Sequence, residues 1–249
     1  MTLITVVVPF YKKREHIIYS IKSILKQSYK NFEIIIVYDD EDLHDFKYVK
    51  KLANLDKRIK ILRNKKNIGA GESRNKAIKN SRGNYIAFLD ADDIWYKDKL
   101  KRQINFMKKN KLIMSYTSYK IINDENKIIG HRKAKRYLNY TDLLKDCEIG
   151  LSTVMIKRNL LKDDIKFPNL KTKEDFTLWL KISKITKIFG IKTSLCYWRD
   201  TKNSLSKNVL QKLLDGYKVY RVHMNMSIIK STYYLFMLSI NYLKKTNKV

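Results

Sequence analysis

Several residue types that define whole classes of protein are scarce in this chain of 249 residues. It has only 7 Gly and 2 Pro, with no repeat or low-complexity segment, so few linker signals interrupt it and one compact unit is the simplest expectation. The 2 cysteines, Cys147 and Cys196, do not form a Cys-x-x-Cys pair, and the 4 histidines do not cluster. Neither a disulfide framework nor a zinc site is predicted.

Long hydrophobic runs are also missing. The longest uncharged apolar segment near the end, Ser231 to Leu243, is shorter than the roughly 20 residues that span a bilayer. The N-terminus enters the apolar run Leu3 to Pro9 without a preceding cationic region, which favours a strand over a signal peptide. We therefore expect no transmembrane helix and a cytoplasmic location.

Acidic residues are few: 24 stand against 53 Lys and Arg, for a formal charge of +29. Such an excess suits a polyanionic partner, whether nucleic acid, anionic lipid or a phosphorylated substrate. However, the preference for Lys over Arg and the richness in Ile and Asn are also what an AT-rich genome produces without selection for binding. Charge alone therefore does not select a function.

Apolar strands alternate with amphipathic helices through the first hundred residues. Segments 4–9, 32–37, 59–63 and 84–89 read as strands, and helical spacing of apolar residues follows the first three. This alternation predicts an α/β fold with a mostly parallel, Rossmann-like central sheet flanked by helices. Acidic residues follow the second and fourth strands, at the edge where open α/β sheets bind ligands.

The stretch Asn84 to Trp95 is the most informative, because a buried-type strand ends abruptly in Asp90, Asp92 and Asp93. Carboxylates this close repel one another, and a hard divalent cation relieves that repulsion through oxygen coordination. The alternative interpretation is a solvated Asp turn that caps the helix expected after Trp95. The rest of the chain has to decide between them.

No Gly-x-Gly-x-x-Gly or Walker loop follows the first strand, which argues against a dinucleotide dehydrogenase or a P-loop enzyme. Instead, Tyr11 could stack on a base, and Asp39 could accept from the N3 hydrogen of uracil. Arg74 could reach a base carbonyl or a phosphate. Asp90 and Asp92 would then hold a divalent ion across a diphosphate.

The second half of the chain is less regular. Segments 114–123 and 127–130 suggest a hairpin, His131 to Tyr137 a mobile loop, and Thr153 to Lys157 and Ile188 to Trp198 two more strands. Glu174-Asp175 opens a helix, where acids are also ordinary partners of the helix dipole. The helix after Trp95 carries several lysines, including Lys99, that we expect on its solvated face.

The order of these motifs resembles the family-2 glycosyltransferases of the GT-A fold over roughly residues 1 to 200. The matching segments are Val6 to Tyr11, Phe32 to Asp40, Asn67 to Ala70, Ser73 to Asn75, Gly83 to Asp93, and Glu174-Asp175. The resemblance implies an inverting transferase that uses a nucleotide-diphosphate sugar, usually a uridine one, with Mn²⁺ or Mg²⁺, and extends a bacterial surface glycan such as lipopolysaccharide or capsule.

The resemblance also assigns roles by position. Nucleotide-sugar contacts fall on Pro9, Tyr11, Asp39, Arg74, Asp90, Ala91 and Arg199; metal ligands on Asp92 and Asp90; the catalytic base on Asp175; and acceptor contacts on Glu174 and Trp179. For Trp179 we favour a core position over a sugar platform. Segment Ser204-Leu205-Ser206 resembles one that closes over the diphosphate.

The sequence departs from the family pattern at two places, which limits the roles that can be assigned by position. Lys12 stands where the family usually has Asn, and Tyr38-Asp39-Asp40-Glu41 replaces the commoner Asp-Asp-Gly-Ser, so we place the base contact on Asp39 and not Asp40.

We expect a transferase domain over 1–207, with a nucleotide-binding half 1–93 and an acceptor half 94–207, and a helical extension over 208–249. The partners would be the nucleotide-diphosphate sugar and a saccharide or lipid-linked acceptor. The basic, aromatic-rich extension would either contact an anionic membrane surface or pack on the main domain. The oligomeric state is open.

Two other functions compete with glycosyl transfer. A nucleotidyltransferase acting on sugar phosphates would need a Gly-rich loop after the first strand. A nucleic-acid-binding protein would cluster its basic residues with exposed aromatics, whereas here they are scattered, so we expect no nucleic-acid partner.

Overall fold

The computed structural model describes residues 2–201 and 208–246. The segment Ser204-Leu205-Ser206 lies outside the described residues. Strands and helices alternate regularly through the first half. They are β1 (Ile4–Phe10), α1 (Arg14–Leu25), β2 (Phe32–Tyr38), α2 (Leu43–Lys51), β3 (Ile59–Arg63), α3 (Ala70–Lys79) and β4 (Tyr85–Phe88).

These four strands are parallel and lie in the order β3-β2-β1-β4. Side chains alternate along each strand, so Val6 and Val8 join the core on one face of the sheet and Val7 joins the core on the other. Burial on both faces explains why these strands are continuous apolar runs. The predicted parallel sheet is confirmed.

The second half extends the same sheet with mixed strand directions. Its elements are β5 (Ile94–Trp95), α4 (Lys99–Lys109), β6 (Met114–Ile122), β7 (Ile128–Arg132), β8 (Tyr137–Leu138), α5 (Tyr140–Lys145), β9 (Met155–Lys157), α6 (Glu174–Ser183) and β10 (Ile188–Arg199). Beyond β4 the order continues as β9-β6-β10-β5. β7 pairs with β6 in the predicted hairpin, while β10 runs parallel to β6 and β5 pairs antiparallel with β10.

Two expectations for this half are wrong. Segment His131 to Tyr137 is not a free loop, because its ends lie in β7 and β8 and Ala134 between them is buried, with its N–H donating to Ser118 Oγ at 2.8 Å. Lys99 is fully buried instead of solvated: its Nζ lies 3.8 Å from the centroid of the Trp95 ring. Burial lowers the pKa of Lys99 to about 7.

Two helices follow the sheet, α7 (Val209–Lys218) and α8 (Ile228–Thr246), joined by a turn of π-helix at Val219–His223. The π-helical turn and α8 pack on α5, because Tyr220 Oη donates to the carbonyl oxygen of Leu144 at 2.7 Å and Asn241 Nδ2 to that of Lys145 at 2.9 Å. Within residues 2–201 and 208–246, no helix combines the length and apolarity that crossing a membrane requires.

Candidate active site

The predicted site residues of the first half meet at one edge of the sheet. Tyr11 follows β1, Asp39 follows β2, and Asp90 lies two residues beyond β4. Because these strands are parallel neighbours, their carboxyl ends open onto the same side.

Asp39 is buried, and protein donors fill most of its carboxylate. Its Oδ1 accepts from Asn64 Nδ2 at 2.8 Å and from the N–H of Ile68 at 2.9 Å, and its Oδ2 accepts from the N–H of Gly69 at 2.9 Å. Gly69 has a φ of 89°, in the left-handed region where glycine carries no steric cost. A carboxylate offers about four lone-pair positions. Among the residues that the structure describes, one position on Oδ2 therefore has no donor.

Two asparagines that the sequence analysis did not single out hold this loop in place. Asn67 Nδ2 donates to the carbonyl oxygen of Asp39 at 2.9 Å, and Asn64 Nδ2 also donates to Ser73 Oγ at 2.9 Å. Their position beside a glycine-containing turn was the available signal, since Asn side chains commonly bond to nearby backbone groups in turns.

Tyr11 is half-buried at the end of β1, and the exposed Lys12 follows it. Lys12 Nζ lies 5.2 Å from the centre of the Tyr11 ring. Lys12 has a φ of 50°, a left-handed conformation that Asn tolerates better than other side chains. This backbone angle would suit the asparagine that the resemblance leads us to expect here. Pro9 lies within β1, in register with Val37 of β2.

Arg74, in α3, connects the two groups of carboxylates. It is only 4% exposed, and its Nη2 donates to Asp90 at 2.8 Å while its Nη1 donates to Glu174 at 2.7 Å. Sequence separation is 16 residues on one side and 100 on the other. Both terminal amines of Arg74 thus donate to carboxylates. The contact of Arg74 with a base or phosphate stays a prediction.

The residues around Arg74 bring α3 close to the start of α6. A Cβ on Gly71 would lie 3.0 Å from the carbonyl oxygen of Pro168 and 3.2 Å from Glu174 Cγ, so glycine permits this approach. Asn75 binds the backbone of Phe167, which precedes α6, through two hydrogen bonds. Its Nδ2 donates to the carbonyl oxygen of Phe167 at 2.9 Å, and its Oδ1 accepts from the Phe167 N–H at 3.1 Å. The Ser73-Arg74-Asn75 motif thus ties three separate segments together.

Glu174 and Asp175 begin α6, directly after Lys173, whose φ of 64° is left-handed. Burial raises the pKa of Glu174 to about 7; Arg74 opposes this shift and Asp175 adds to it. Burial also raises the pKa of Asp175, against the opposing charges of Arg74 and Lys173. Two adjacent carboxyls with raised pKa values are typical of acid–base chemistry, although ion-pair networks produce the same shifts.

The three aspartates after β4 lie in different surroundings. Asp92 Oδ2 lies 2.7 Å from Lys13 Nζ, which also donates to Thr201 Oγ1 at 2.9 Å. Asp93 is 1% exposed and its Oδ1 accepts from the Arg199 N–H at 2.8 Å; burial and the charges of Asp92 and Asp90 raise its pKa well above its ordinary value. The cap interpretation is wrong for these residues, because α4 begins at Lys99 after Asp98.

Ser152 fixes this acidic turn from the opposite side. Its Oγ accepts from the Asp90 N–H at 3.0 Å, and its carbonyl oxygen accepts from Trp95 Nε1 at 2.7 Å. Ala91 is buried, and its carbonyl oxygen accepts from Ser20 Oγ at 2.9 Å. These bonds hold the turn so that Asp90 and Asp92 keep partly exposed side chains.

Asp90 and Asp92 suit a Mg²⁺ or Mn²⁺ ion whose remaining ligands come from a substrate. Their side chains are 30% and 15% exposed, and each already carries a positive partner, Arg74 or Lys13. Over residues 2–201 and 208–246, no group of three or more His, Cys, Asp or Glu side chains could hold a metal by itself. One or two carboxylates plus substrate phosphates is the usual donor set for magnesium.

Comparison with known proteins decides the family. The family model described as "Glycosyl transferase family 2" matches residues 5–172, which include the Asp39, Arg74 and Asp90 segments. The chain belongs to glycosyl transferase family 2. The predicted family is confirmed.

Relatives of this family 2 glycosyltransferase agree with that result. It is 40% identical over 213 residues to the Escherichia coli UDP-Glc:alpha-D-GlcNAc-diphosphoundecaprenol beta-1,3-glucosyltransferase WfgD, covering 85% of this chain and 82% of that protein. It is 33% identical over 245 residues to the Bacillus subtilis putative teichuronic acid biosynthesis glycosyltransferase TuaG, covering 98% and 97%.

Solved structures show the same fold. S. aureus TarS 1-349 in complex with UDP-GlcNAc superposes with a TM-score of 0.73 at 22% identity, covering 94% of this chain and 70% of that one. The mannosyltransferase PcManGT from Pyrobaculum calidifontis, in complex with GDP-Man and Mn²⁺, gives 0.70 at 14% identity, covering 94% and 68%. The predicted GT-A fold is confirmed.

Two predicted contacts of this glycosyltransferase do not fit the structure. Trp179 is fully buried against Phe88 and Phe167, so it is a core residue and cannot be a sugar platform. Arg199 is 4% exposed, and its guanidinium donates to the carbonyl oxygens of Asp92 and Asn123 and to Asn126 Oδ1. All three guanidinium nitrogens of Arg199 thus bind protein oxygens, which does not favour a phosphate contact.

Proposed function

We propose that this glycosyltransferase moves a sugar, with inversion, from a UDP-sugar to a lipid-linked saccharide in the synthesis of a bacterial surface glycan. The observation that carries the proposal is the ion-paired bridge through Arg74, which joins Asp90 at the donor edge to Glu174 beside Asp175. The activities for which WfgD and TuaG are named support the donor and the glycan class by analogy.

The donor's base would lie between Tyr11 and Asp39. Stacking on a half-buried aromatic ring is indifferent to the identity of the base. The free lone pair on Asp39 Oδ2 adds selectivity, because uracil carries an N3 hydrogen to donate and cytosine does not. Pro9 and Ala91 would shape the same pocket through the backbone.

Asp92, assisted by Asp90, would hold Mn²⁺ or Mg²⁺ against the diphosphate. The ion, when bound, neutralises the negative charge that develops on the leaving nucleoside diphosphate. Lys13 already places a positive charge on Asp92 Oδ2 at 2.7 Å, so this oxygen sits where a cation is stabilised.

Asp175 would act as the base. The acceptor hydroxyl oxygen forms a bond to the anomeric carbon on the face opposite the diphosphate, the bond from that carbon to the diphosphate oxygen breaks, and the hydroxyl proton passes to Asp175. Glu174 is held by Arg74, whereas the hydrogen bond of Asp175 Oδ1 is to the neighbouring N–H of Phe176. Asp175 Oδ2 is therefore the better placed oxygen to receive a proton, and Glu174 would orient the acceptor.

The donor half is tested by thermal unfolding with UDP, UDP-sugars and GDP-mannose, each with and without Mn²⁺. Ligands that bind the native state raise its stability by mass action, by about 2.7 kcal/mol at a hundredfold excess over Kd. We expect stabilisation by UDP and UDP-sugars that depends on Mn²⁺. Stabilisation by GDP-mannose alone would contradict the uridine assignment.

The chemical roles are tested by two variants against Asp163→Asn, an exposed control. Asp92→Ala should abolish the Mn²⁺-dependent part of the stabilisation and the turnover, while the unliganded protein unfolds as before. Asp175→Asn should retain the UDP shift and lose turnover. Full activity of Asp92→Ala would contradict the metal assignment, and loss of the UDP shift in Asp175→Asn would place that residue in the donor pocket.

A further inference from the structure

The C-terminal helix α8 carries an apolar stripe that faces away from the rest of the protein. Ile229, Tyr233, Phe236 and Leu243 are 82%, 52%, 61% and 59% exposed, and Ile240 lies between the last two on the same spacing. Steps of four and three residues place all five on one side of a helix. At about 1.5 Å per residue, the stripe is about 21 Å long.

The other side of α8 makes the contacts with the fold. Ser231 and Leu238 are buried. Leu235 lies so close to Gly216 of α7 that a Cβ atom added to Gly216 would be 2.9 Å from Leu235 Cδ1. The helix is therefore apolar on both sides. A helix that is hydrophobic all round is normally covered on all sides.

The helix α7 shows the same division. Its buried residues are Asp215, whose Oδ2 accepts from the N–H and Oγ1 of Thr172 at 2.9 and 3.0 Å, and Gly216. Its exposed apolar residues are Val209, Leu210, Leu213 and Leu214, at 65%, 68%, 40% and 52%. Large exposed apolar surfaces of this kind mark interaction sites.

The charge on this helix pair is of one sign. Between residues 208 and 244 the basic residues are Lys212, Lys218, Arg221, Lys230 and Lys244. The one acidic residue in that range, Asp215, is 2% exposed and bonded to Thr172. No carboxylate is therefore presented to solvent by the described part of 208–244.

The exposed apolar side chains and the positive charge of α7 and α8 together indicate which partner covers this surface. If a second copy of the chain bound through the same surface, the lysines of the two copies would face each other. Neither surface presents an acidic residue that could compensate this repulsion. An anionic bilayer accepts apolar side chains at the level of its headgroups and attracts each nearby Lys or Arg. We propose that α7 and α8 form a docking surface for an anionic membrane, on which α8 lies in the plane of the headgroups.

The test is co-sedimentation of the full chain with two kinds of vesicle, phosphatidylcholine alone and phosphatidylcholine mixed with phosphatidylglycerol. We expect binding to the mixed vesicles that weakens with added salt, because screening reduces the attraction of exposed charges. Equal binding to both kinds, or binding to neither, would overturn the proposal.

Two pairs of variants distinguish binding through α8 from non-specific binding through any exposed apolar residue. Ile229→Ser with Phe236→Ser should lower binding to the mixed vesicles by about tenfold or more, since both changes remove apolar surface that the headgroup region would bury. Leu43→Ser with Ile185→Ser, each 59% exposed on other faces, should leave binding unchanged. Equal loss in both pairs would overturn the assignment to α8.

Two pairs of lysine variants and a measurement of the molar mass in solution complete the design. Lys230→Gln with Lys244→Gln should weaken binding and its dependence on salt, whereas Lys50→Gln with Lys51→Gln should not. If the wild type is a dimer that the Ile229 and Phe236 changes make monomeric, the surface is a self-association face and the membrane proposal is wrong. The UDP-dependent shift should be the same in every variant, which keeps this test independent of the donor site.

Discussion

Replacing Arg74 by Met would break the bridge between the two carboxylate groups and reveal how the site is held together. Arg74 is nearly fully buried, and its partners Asp90 and Glu174 have side chains that are 30% and 13% exposed. Removing one member of a buried ion pair costs about 3–5 kcal/mol, because the remaining charge loses its partner. Asp90 regains water easily, so most of that cost falls on Glu174.

The cost depends on pH because Glu174 can avoid its charge by taking up a proton. Its pKa of about 7 in the wild type includes a lowering by Arg74, so the variant's pKa is higher still. Between these two values the folded variant binds one proton more than the folded wild type, and its relative stability falls as pH rises, by about 1.4 kcal/mol per pH unit. Below pH 7 both forms carry the proton and the cost is smallest.

We therefore expect the loss of unfolding free energy for Arg74→Met to be smallest at pH 6 and to be up to about 2 kcal/mol larger at pH 8.5, where Glu174 of the wild type is charged. Urea unfolding at the two pH values measures both quantities. Arg82→Met is the matched control: Arg82 is 80% exposed in its pair with Glu33, which keeps bonds from Thr5 Oγ1 and the Arg82 N–H. A loss for Arg74→Met that is equal at both pH values would refute the account of Glu174.

Three further outcomes are expected. Lys12→Asn should stabilise the protein by up to about 1 kcal/mol in urea unfolding, because Asn suits the left-handed φ, whereas Lys57→Asn, at a turn residue outside that region, should not. The transfer rate should rise with pH as Asp175, with its raised pKa, loses its proton, and Lys173→Gln should move this rise to higher pH by removing a neighbouring positive charge; an unmoved profile would contradict this assignment. Lys13→Met should lower the Mn²⁺ concentration that gives half of the UDP-dependent thermal shift, since the ammonium no longer competes for Asp92 Oδ2; a higher concentration would mean that Lys13 assists metal binding.

The order of Tyr11, Asp39 and Asp90 along the chain was predictable because each follows a strand of recognisable pattern. Asp39 and Asp90 come directly after apolar runs, and parallel strands bring such positions to one edge. Glu174-Asp175 could be placed near them only through the resemblance to a family, since 100 residues separate Glu174 from Arg74 and no local pattern reports a contact at that distance.

Other residues were misjudged because local patterns do not report burial in three dimensions. Lys99 occupies a helix rich in exposed lysines, yet the chain folds so that Trp95 and the carbonyl oxygen of Val154 enclose it. Arg199 resembles a phosphate ligand in sequence but is surrounded by the oxygens of the Asn123 to Asn126 turn. Lys13 was passed over because one lysine in a basic run carries no signal in so basic a chain.

The sequence by itself determined the parallel sheet, the acidic ends of its strands and the family, because periodicity and strand-end chemistry are local properties. The tertiary structure alone decided which of those groups touch: that Arg74 joins Asp90 to Glu174, that Lys13 holds Asp92, that Trp179 is core, and that one face of α8 stays uncovered. Charge pairing and burial depend on distances through space, which loops and crossovers set and which sequence separation does not record.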